Sequence, residues 1–153
     1  MNELARYEEP RLQAPCDLLI VEDDPTQAEE LASYLRRGGL SVRSLYSGSE
    51  AIHSVAELRP KIAILDYNLP DLDGVTVAER IRRLSPETAL LIMSGRIDGL
   101  SEATLGHHGI YQFLNKPVEA WSLRRSIRRM VRFAARTGSP ALRRPTGLAL
   151  LLA

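Results

Sequence analysis

Three acidic side chains follow apolar runs, at positions where they could bind a metal ion together. Glu22 and Asp23 follow the apolar run 18–21, and Asp66 follows a second apolar run, 62–65. If both runs are parallel strands, their carboxyl ends meet at one edge of a sheet, and the three carboxylates lie close together. Carboxylate oxygens suit a hard divalent cation. The sequence therefore predicts an acidic, cation-binding edge.

The pattern of apolar residues along the chain predicts the elements that would position these acids. Buried strands are expected at 18–21, 42–46, 61–65, 89–93 and 110–114. Amphipathic helices are expected from Pro25, with Asp24 as its cap, to the Gly38-Gly39 pair, at 49–58, from Val75 to Leu84 and at 119–136. The third of these is marked by the apolar residues Val77, Ala78, Ile81 and Leu84, and a short polar helix is expected near 98–107. Strict alternation of buried strands and helices is typical of a doubly wound α/β sheet that binds ligands at the carboxyl ends of its strands.

Length and composition predict one ordinary soluble domain. The chain has 153 residues, of which 44% are hydrophobic and 25% are charged, and its formal net charge is +1. A single cysteine excludes an internal disulfide and favours a reducing cytoplasm. The acidic start is unlike a secretory signal, and the apolar run 147–153 is too short to span a membrane. We expect a mobile leader at 1–15, a folded domain at 16–136 and a tail at 137–153.

The loop after the third predicted strand has the most specific local pattern in the sequence. It reads Asp66-Tyr67-Asn68-Leu69-Pro70-Asp71-Leu72-Asp73-Gly74. Pro70 stiffens the loop, and Asp73-Gly74 combines a turn with a cap for the helix that follows. Taken alone, this segment is also compatible with an ordinary connection between a strand and a helix.

Together with three other strand ends, this loop resembles the receiver domain of two-component response regulators. The other matching pairs are Glu22-Asp23 after the first strand, Ser94-Gly95 after the fourth and Lys116-Pro117 after the fifth. They occur in the family's order, and the resemblance covers about residues 17–135. It implies a flavodoxin-like fold with five parallel strands in the order 2-1-3-4-5 and five helices.

The resemblance implies that Asp66 is a phosphoacceptor. It would take a phosphoryl group from a partner histidine and form an acyl phosphate. The cofactor would be Mg²⁺, with Asp23, Asp66 and the backbone carbonyl of Asn68 as direct ligands. Glu22 would act on the ion through water.

Two further residues would act on the phosphoryl group, and a third would respond to it. Lys116 would place its ammonium against the phosphoryl group, and the Ser94 hydroxyl would bond to it after phosphorylation. The family also implies a cis peptide bond before Pro117. Its switch uses an aromatic residue three positions before the lysine, here Phe113, which lacks the hydroxyl of the commoner tyrosine. A static core position for Phe113 is equally compatible with the sequence.

The resulting hypothesis is a stand-alone receiver that acts as a switch or phosphoryl carrier rather than as a metabolic enzyme. Its partners would be a sensor histidine kinase or a histidine phosphotransfer protein, together with a downstream protein target. A homodimer would form through the helix near 98–107, the fifth strand and the last helix.

Two other functions stay open at this point. Asp66 could be the nucleophile of a Mg²⁺-dependent phosphohydrolase like the haloacid-dehalogenase-like phosphatases. Those enzymes need an acid/base aspartate where this chain has Asn68, and an amide cannot transfer that proton. The last helix could bind DNA through an arginine stripe, although a solvated face is the ordinary interpretation and the balanced total charge argues against nucleic acid. The stripe consists of Arg125, Arg128, Arg129, Arg132 and Arg136.

Overall fold

The computed structural model describes residues 15–95 and 109–137, which contain five strands and four helices. The elements are β1 (Leu18–Val21), α1 (Pro25–Arg37), β2 (Val42–Leu45), α2 (Gly48–Leu58), β3 (Ile62–Asp66), α3 (Gly74–Leu84), β4 (Ala89–Ser94), β5 (Ile110–Asn115) and α4 (Ala120–Thr137). The helix predicted near 98–107 lies outside the described residues. So do the predicted leader and tail, apart from Pro15 and Thr137.

The five strands form one parallel sheet in the order β2-β1-β3-β4-β5, which confirms the predicted fold class. The register explains how distant segments of the chain converge. Val21 of β1 pairs with Leu65 of β3, so the residues that follow each of them leave the sheet side by side. Ser94 pairs with Asn115, which places the turn after β5 beside the end of β4.

Both faces of the sheet are covered, as its continuous apolar strands require. Leu18 and Ile20 of β1 belong to the core cluster that contains apolar residues of α1 and α4. Leu19 and Val21 belong to the opposite cluster, with residues of α2 and α3. Alternate side chains of a strand point to opposite faces, so β1 is buried on both sides.

Helix starts follow the caps expected from the sequence. The Asp24 carboxylate accepts hydrogen bonds from the N–H groups of Thr26 and Gln27 at the start of α1, and Asp73 accepts one from Thr76 at the start of α3. One apolar position was predicted wrongly. Leu84 continues the spacing of the inward residues of α3 but is 50% exposed, because the helix ends at this residue and no further turn follows.

The cysteine of the chain lies at the entrance to β1. Cys16 is buried, and its backbone N–H donates a hydrogen bond to the carbonyl oxygen of Leu58 at the end of α2. Burial raises the pKa of its thiol to about 11, so the unreactive neutral form dominates at neutral pH. Among the described helices, none combines the length and apolar content needed to cross a bilayer.

Candidate functional site

The acidic edge predicted from the sequence is present at the carboxyl ends of β1 and β3. Glu22, Asp23 and Asp66 each offer a carboxylate oxygen, and these oxygens lie within 4.8 Å of one another. Glu22 and Asp66 are only 2% and 3% exposed, whereas Asp23 is open to solvent. Two of the three carboxylates are therefore buried at the sheet edge, and the third is accessible to solvent.

Lys116 joins the two buried carboxylates. Its Nζ donates hydrogen bonds to Glu22 Oε2 at 2.6 Å and to Asp66 Oδ2 at 2.8 Å. Its own backbone N–H donates to the carbonyl oxygen of Ser94 at 2.8 Å, which fastens the turn after β5 to the end of β4. The peptide bond between Lys116 and Pro117 is cis, as the family resemblance implies.

Burial and hydrogen bonding shift the pKa values of Lys116 and Glu22. Burial alone would lower the pKa of Lys116, but its hydrogen bonds to Asp66 and Glu22 together outweigh burial and raise it. The pKa of Glu22 is raised, chiefly by burial and also by the nearby charge of Asp66, against the lowering effect of the hydrogen bonds from Lys116 and from the Asp24 N–H. Three carboxylates with one ammonium leave an excess of negative charge, which favours binding of a cation.

Both oxygens of Asp66 have defined donors. Oδ1 accepts a hydrogen bond from the backbone N–H of Asn68 at 3.1 Å, while Oδ2 faces Lys116. The loop is closed by a bond from the Gly74 N–H to the Tyr67 carbonyl oxygen at 2.8 Å. A Cβ atom at Gly74 would lie 2.5 Å from the Asp66 carbonyl oxygen. Only glycine lets α3 begin this close to the backbone of Asp66.

The donor set fits Mg²⁺, which prefers oxygen ligands and usually keeps several of its waters. Both oxygens of Glu22 already have donors, because Oε1 accepts from the Asp24 N–H at 3.2 Å and Oε2 accepts from Lys116. Glu22 is thus better suited to contact an ion through water than directly. Asp23 is exposed beside it, and Asn68 lies on the solvent side of Asp66.

The two predicted switch residues occupy neighbouring strands. Ser94 is the last residue of β4 and is fully buried, and a Cβ built on the following Gly95 meets nothing within 4 Å. Phe113 is partly buried and packs against the core cluster on the α2 and α3 side of the sheet. These positions are compatible with a switch and also with static packing of Phe113.

Sequence reasoning assigned no role to Asp71, yet its carboxylate makes a contact across the structure. It accepts hydrogen bonds from the backbone N–H groups of Gly48 at 2.9 Å and Ser49 at 2.8 Å, at the start of α2. These bonds, led by that from Ser49, lower the pKa of Asp71 to about 2. The contact depends on how α2 and the loop meet, so no local sequence pattern reveals it.

Comparison with known proteins gives a consistent family. Residues 18–128 match the model for the response regulator receiver domain. The chain is 33% identical over 119 residues to regulatory protein LuxO of Vibrio cholerae. The aligned region covers 76% of this chain and 26% of LuxO. The chain therefore spans about a quarter of the length of this curated relative.

Solved structures agree with the fold. A CheY-like response regulator receiver domain from Methanospirillum hungatei aligns over 82% of this chain and 100% of its own, with a TM-score of 0.74 and 21% identity. The receiver domain of a sensor histidine kinase from Pseudomonas aeruginosa aligns over 76% of this chain and 97% of its own, with a TM-score of 0.65 and 24% identity. That structure has a magnesium ion coordinated in its active site cleft.

Proposed function

The chain belongs to the response regulator receiver domain family of two-component signalling, and on this premise we propose that Asp66 is its phosphoacceptor. A partner phosphohistidine would donate the phosphoryl group in a Mg²⁺-dependent reaction. The phosphorylated form would change the interactions of the protein with a downstream target or pass the phosphoryl group on. The compartment expected from the sequence, a reducing cytoplasm, is part of the same proposal.

One observation carries the proposal: the Lys116 ammonium lies 2.8 Å from a buried Asp66 oxygen, at the edge where Glu22 and Asp23 also lie. A structural ion pair would need only one acid and one base. Here the acids outnumber the base, and the extra acid, Asp23, is open to solvent. That arrangement fits a site that receives a cation and an anionic phosphoryl group together.

In the proposed reaction, an Asp66 oxygen forms a bond to phosphorus while the bond between phosphorus and the histidine nitrogen breaks. The electron pair of that broken bond returns to the imidazole of the donor. Lys116 can follow the phosphoryl group because its Nζ is already at hydrogen-bond distance from Asp66 Oδ2. The Asn68 N–H keeps the other oxygen in place. Bound Mg²⁺ would neutralise charge on the phosphoryl oxygens.

Ser94 and Lys116 would supply the energy for switching. Moving a two-state equilibrium from 1:99 to 99:1 needs about 5.5 kcal/mol of differential stabilisation. Hydrogen bonds to charged groups contribute about 1.5–3 kcal/mol each, so two such bonds formed in one state approach this value. Phe113 would move by changes in packing alone, since it has no hydroxyl to exchange partners.

The proposed partners are a histidine kinase or histidine phosphotransfer protein and a downstream protein. A surface for the latter is offered by α4, whose sequence contains six arginines and no acidic residue. Trp121 is 59% exposed at the start of this helix. Arg125 and Arg129 are exposed along the same side of α4. Trp and Arg are residue types enriched at binding hot spots, and a homodimer through this region belongs to the same proposal.

A direct test is to incubate the full chain with a small-molecule phosphodonor and Mg²⁺, then to measure the intact mass. We expect one hydroxylamine-sensitive phosphoryl adduct, no adduct in chelator and none in Asp66→Asn. An adduct that survives in Asp66→Asn would refute the assignment of the acceptor. Rapid turnover of generic phosphate esters would favour the phosphohydrolase instead, and binding of DNA at low salt would favour the DNA-binding alternative.

A further inference from the structure

The loop that carries Asp66 is attached to α2 as well as to α3. Asp71 lies in the middle of this loop, and each of its two carboxylate oxygens accepts one backbone N–H from the first turn of α2. These N–H groups have no acceptor inside their own helix, and the helix dipole favours an anion at this end. The contact joins segments that are 22 and 23 residues apart in sequence.

The start of α2 is packed tightly against the loop and α3. A Cβ atom at Gly48 would lie 2.7 Å from Val77 Cγ2 and 3.2 Å from Leu72 Cβ. The absence of a side chain at position 48 therefore allows the close approach that brings the helix N–H groups to Asp71. The low pKa of Asp71 keeps its carboxylate ionised throughout the physiological pH range.

Helix α2 has another cap of its own. The Ser47 hydroxyl oxygen accepts a hydrogen bond from the Glu50 N–H at 3.2 Å, which is the ordinary way to start a helix. Asp71 adds bonds from outside the helix and fixes the loop at a second point. Because Asn68 is only three residues earlier, this fixed point limits how far the Asn68 N–H can shift from Asp66 Oδ1.

We propose that Asp71 is a positioning residue for the Asp66 site, which holds the Asn68 backbone in place by attaching the middle of the loop to α2. The inference rests on the proposed function and extends it. The Asp71 carboxylate bonds to the start of α2 rather than to Asp66. Its effect passes through the loop backbone, which sets the direction of Asp66 Oδ1 and the place of the Asn68 carbonyl proposed as a Mg²⁺ ligand.

The test compares Asp71→Ala with Ser47→Ala in the full chain. Both changes remove a cap from α2, but only Asp71→Ala releases the loop. The measured quantities are the rate of adduct formation with a small-molecule phosphodonor, the Mg²⁺ dissociation constant by calorimetry, and amide hydrogen exchange at Asn68 and Gly74. Two of these three readouts do not depend on phosphorylation.

We expect Asp71→Ala to slow phosphorylation roughly tenfold, to weaken Mg²⁺ binding and to speed exchange at both amides. Ser47→Ala should leave all three readouts within about twofold of the parent, since its cap does not touch the loop. Asp71→Asn should give an intermediate rate, because the amide keeps one acceptor oxygen and turns a donor toward the other N–H. Gly48→Ala disturbs the contact from the opposite side and should act like Asp71→Ala.

The proposal is overturned if Asp71→Ala and Ser47→Ala change the three readouts equally, or if neither changes them. Failure of the proposed function gives a different result, in which the parent protein itself forms no adduct at Asp66. In that case amide exchange still decides whether Asp71 holds the loop. Equal exchange at Asn68 and Gly74 in the two variants would then refute the positioning role by itself.

Discussion

At the amino ends of the strands, Asp17 and Ser41 exchange two hydrogen bonds, whereas at the carboxyl ends Glu22 and Asp66 share the ammonium of Lys116. Asp17 Oδ2 accepts from the Ser41 N–H at 2.9 Å, and the Asp17 N–H donates to Ser41 Oγ at 3.0 Å. The opposite end of the sheet carries more acid than base. The first arrangement is complete without a ligand, and the second has charge left to bind one.

A second amino-end contact supports this difference. The Thr88 hydroxyl, just before β4, donates to the Pro60 carbonyl oxygen at 2.8 Å, just before β3. Both partners are neutral, and Thr88 is 6% exposed. Stability at this end should therefore not depend on Mg²⁺, while stability at the carboxyl end should. Four predictions test that contrast, beginning with the largest expected effect.

Replacement of Lys116 by methionine should be the most damaging change. It leaves Glu22 and Asp66 buried without their cation, and removal of one partner from a buried ion pair is strongly destabilising. Because Lys116 is 22% exposed, we expect a loss of about 3 kcal/mol in the free energy of unfolding, measured with urea in chelator. Mg²⁺ should restore part of it. Equal loss with and without Mg²⁺ would contradict the cation-binding edge.

Replacement of Thr88 by valine tests the amino end. The change keeps the shape of the side chain but leaves the buried Pro60 carbonyl oxygen without this donor, which costs about 1.5 kcal/mol. The same urea experiment should give the same loss of unfolding free energy in chelator and in Mg²⁺. The loss should also be the same at each pH between about 5 and 8, because neither a threonine hydroxyl nor a backbone carbonyl titrates. A loss that varies with Mg²⁺ would remove the contrast between the two ends.

Asp66→Asn should stabilise the protein in chelator. It removes one of three crowded carboxylates, and Lys116 keeps its bond to Glu22. Like charges about 4 Å apart repel by about 4 kcal/mol at an effective dielectric of 20, and the lost bond to Lys116 offsets most of this, so the expected gain is about 1 kcal/mol. Thermal unfolding in chelator is the measurement. A variant that melts below the parent would show that the ammonium already balances the cluster.

The smallest effect concerns pH and Asp71. Its pKa is lowered from 3.8 to about 2 in the folded protein, so its contribution to stability is fully present above pH 3.8 and is lost as the pH falls toward 2. The difference in unfolding free energy between the parent and Asp71→Asn should therefore shrink over that interval. Urea titrations at several pH values measure this difference. A difference that stays constant down to pH 2 would contradict the contact with α2.

The fold and the placement of the acids were predictable because they follow from local patterns. The strands β1 and β3 are continuous apolar runs that Glu22 and Asp66 directly follow, so the two acids meet once these strands are parallel and adjacent. The cap residues Asp24 and Asp73 were readable for the same reason. The bounds of β3 were predicted less accurately: the strand was expected at 61–65 but spans Ile62–Asp66, so Asp66 itself belongs to it.

Contacts that depend on the spacing between elements could not be predicted from the sequence. Lys116 was expected to face Asp66, but its shorter bond to Glu22 depends on how close β1 lies to the turn after β5. The contact between Asp71 and α2 requires the close approach at Gly48. In both cases a long-range geometry, set by packing of the whole sheet, decides which polar groups meet.

The buried thiol of Cys16 is a built-in chemical probe of local opening. A maleimide or disulfide reagent can modify it only after Cys16 leaves its contact with α2, because the folded state hides the sulfur and suppresses the thiolate. The rate of modification therefore measures how often the segment before β1 opens. A thiol-reactive dye would therefore label a cysteine added at the surface selectively, and Cys16 would not have to be replaced first.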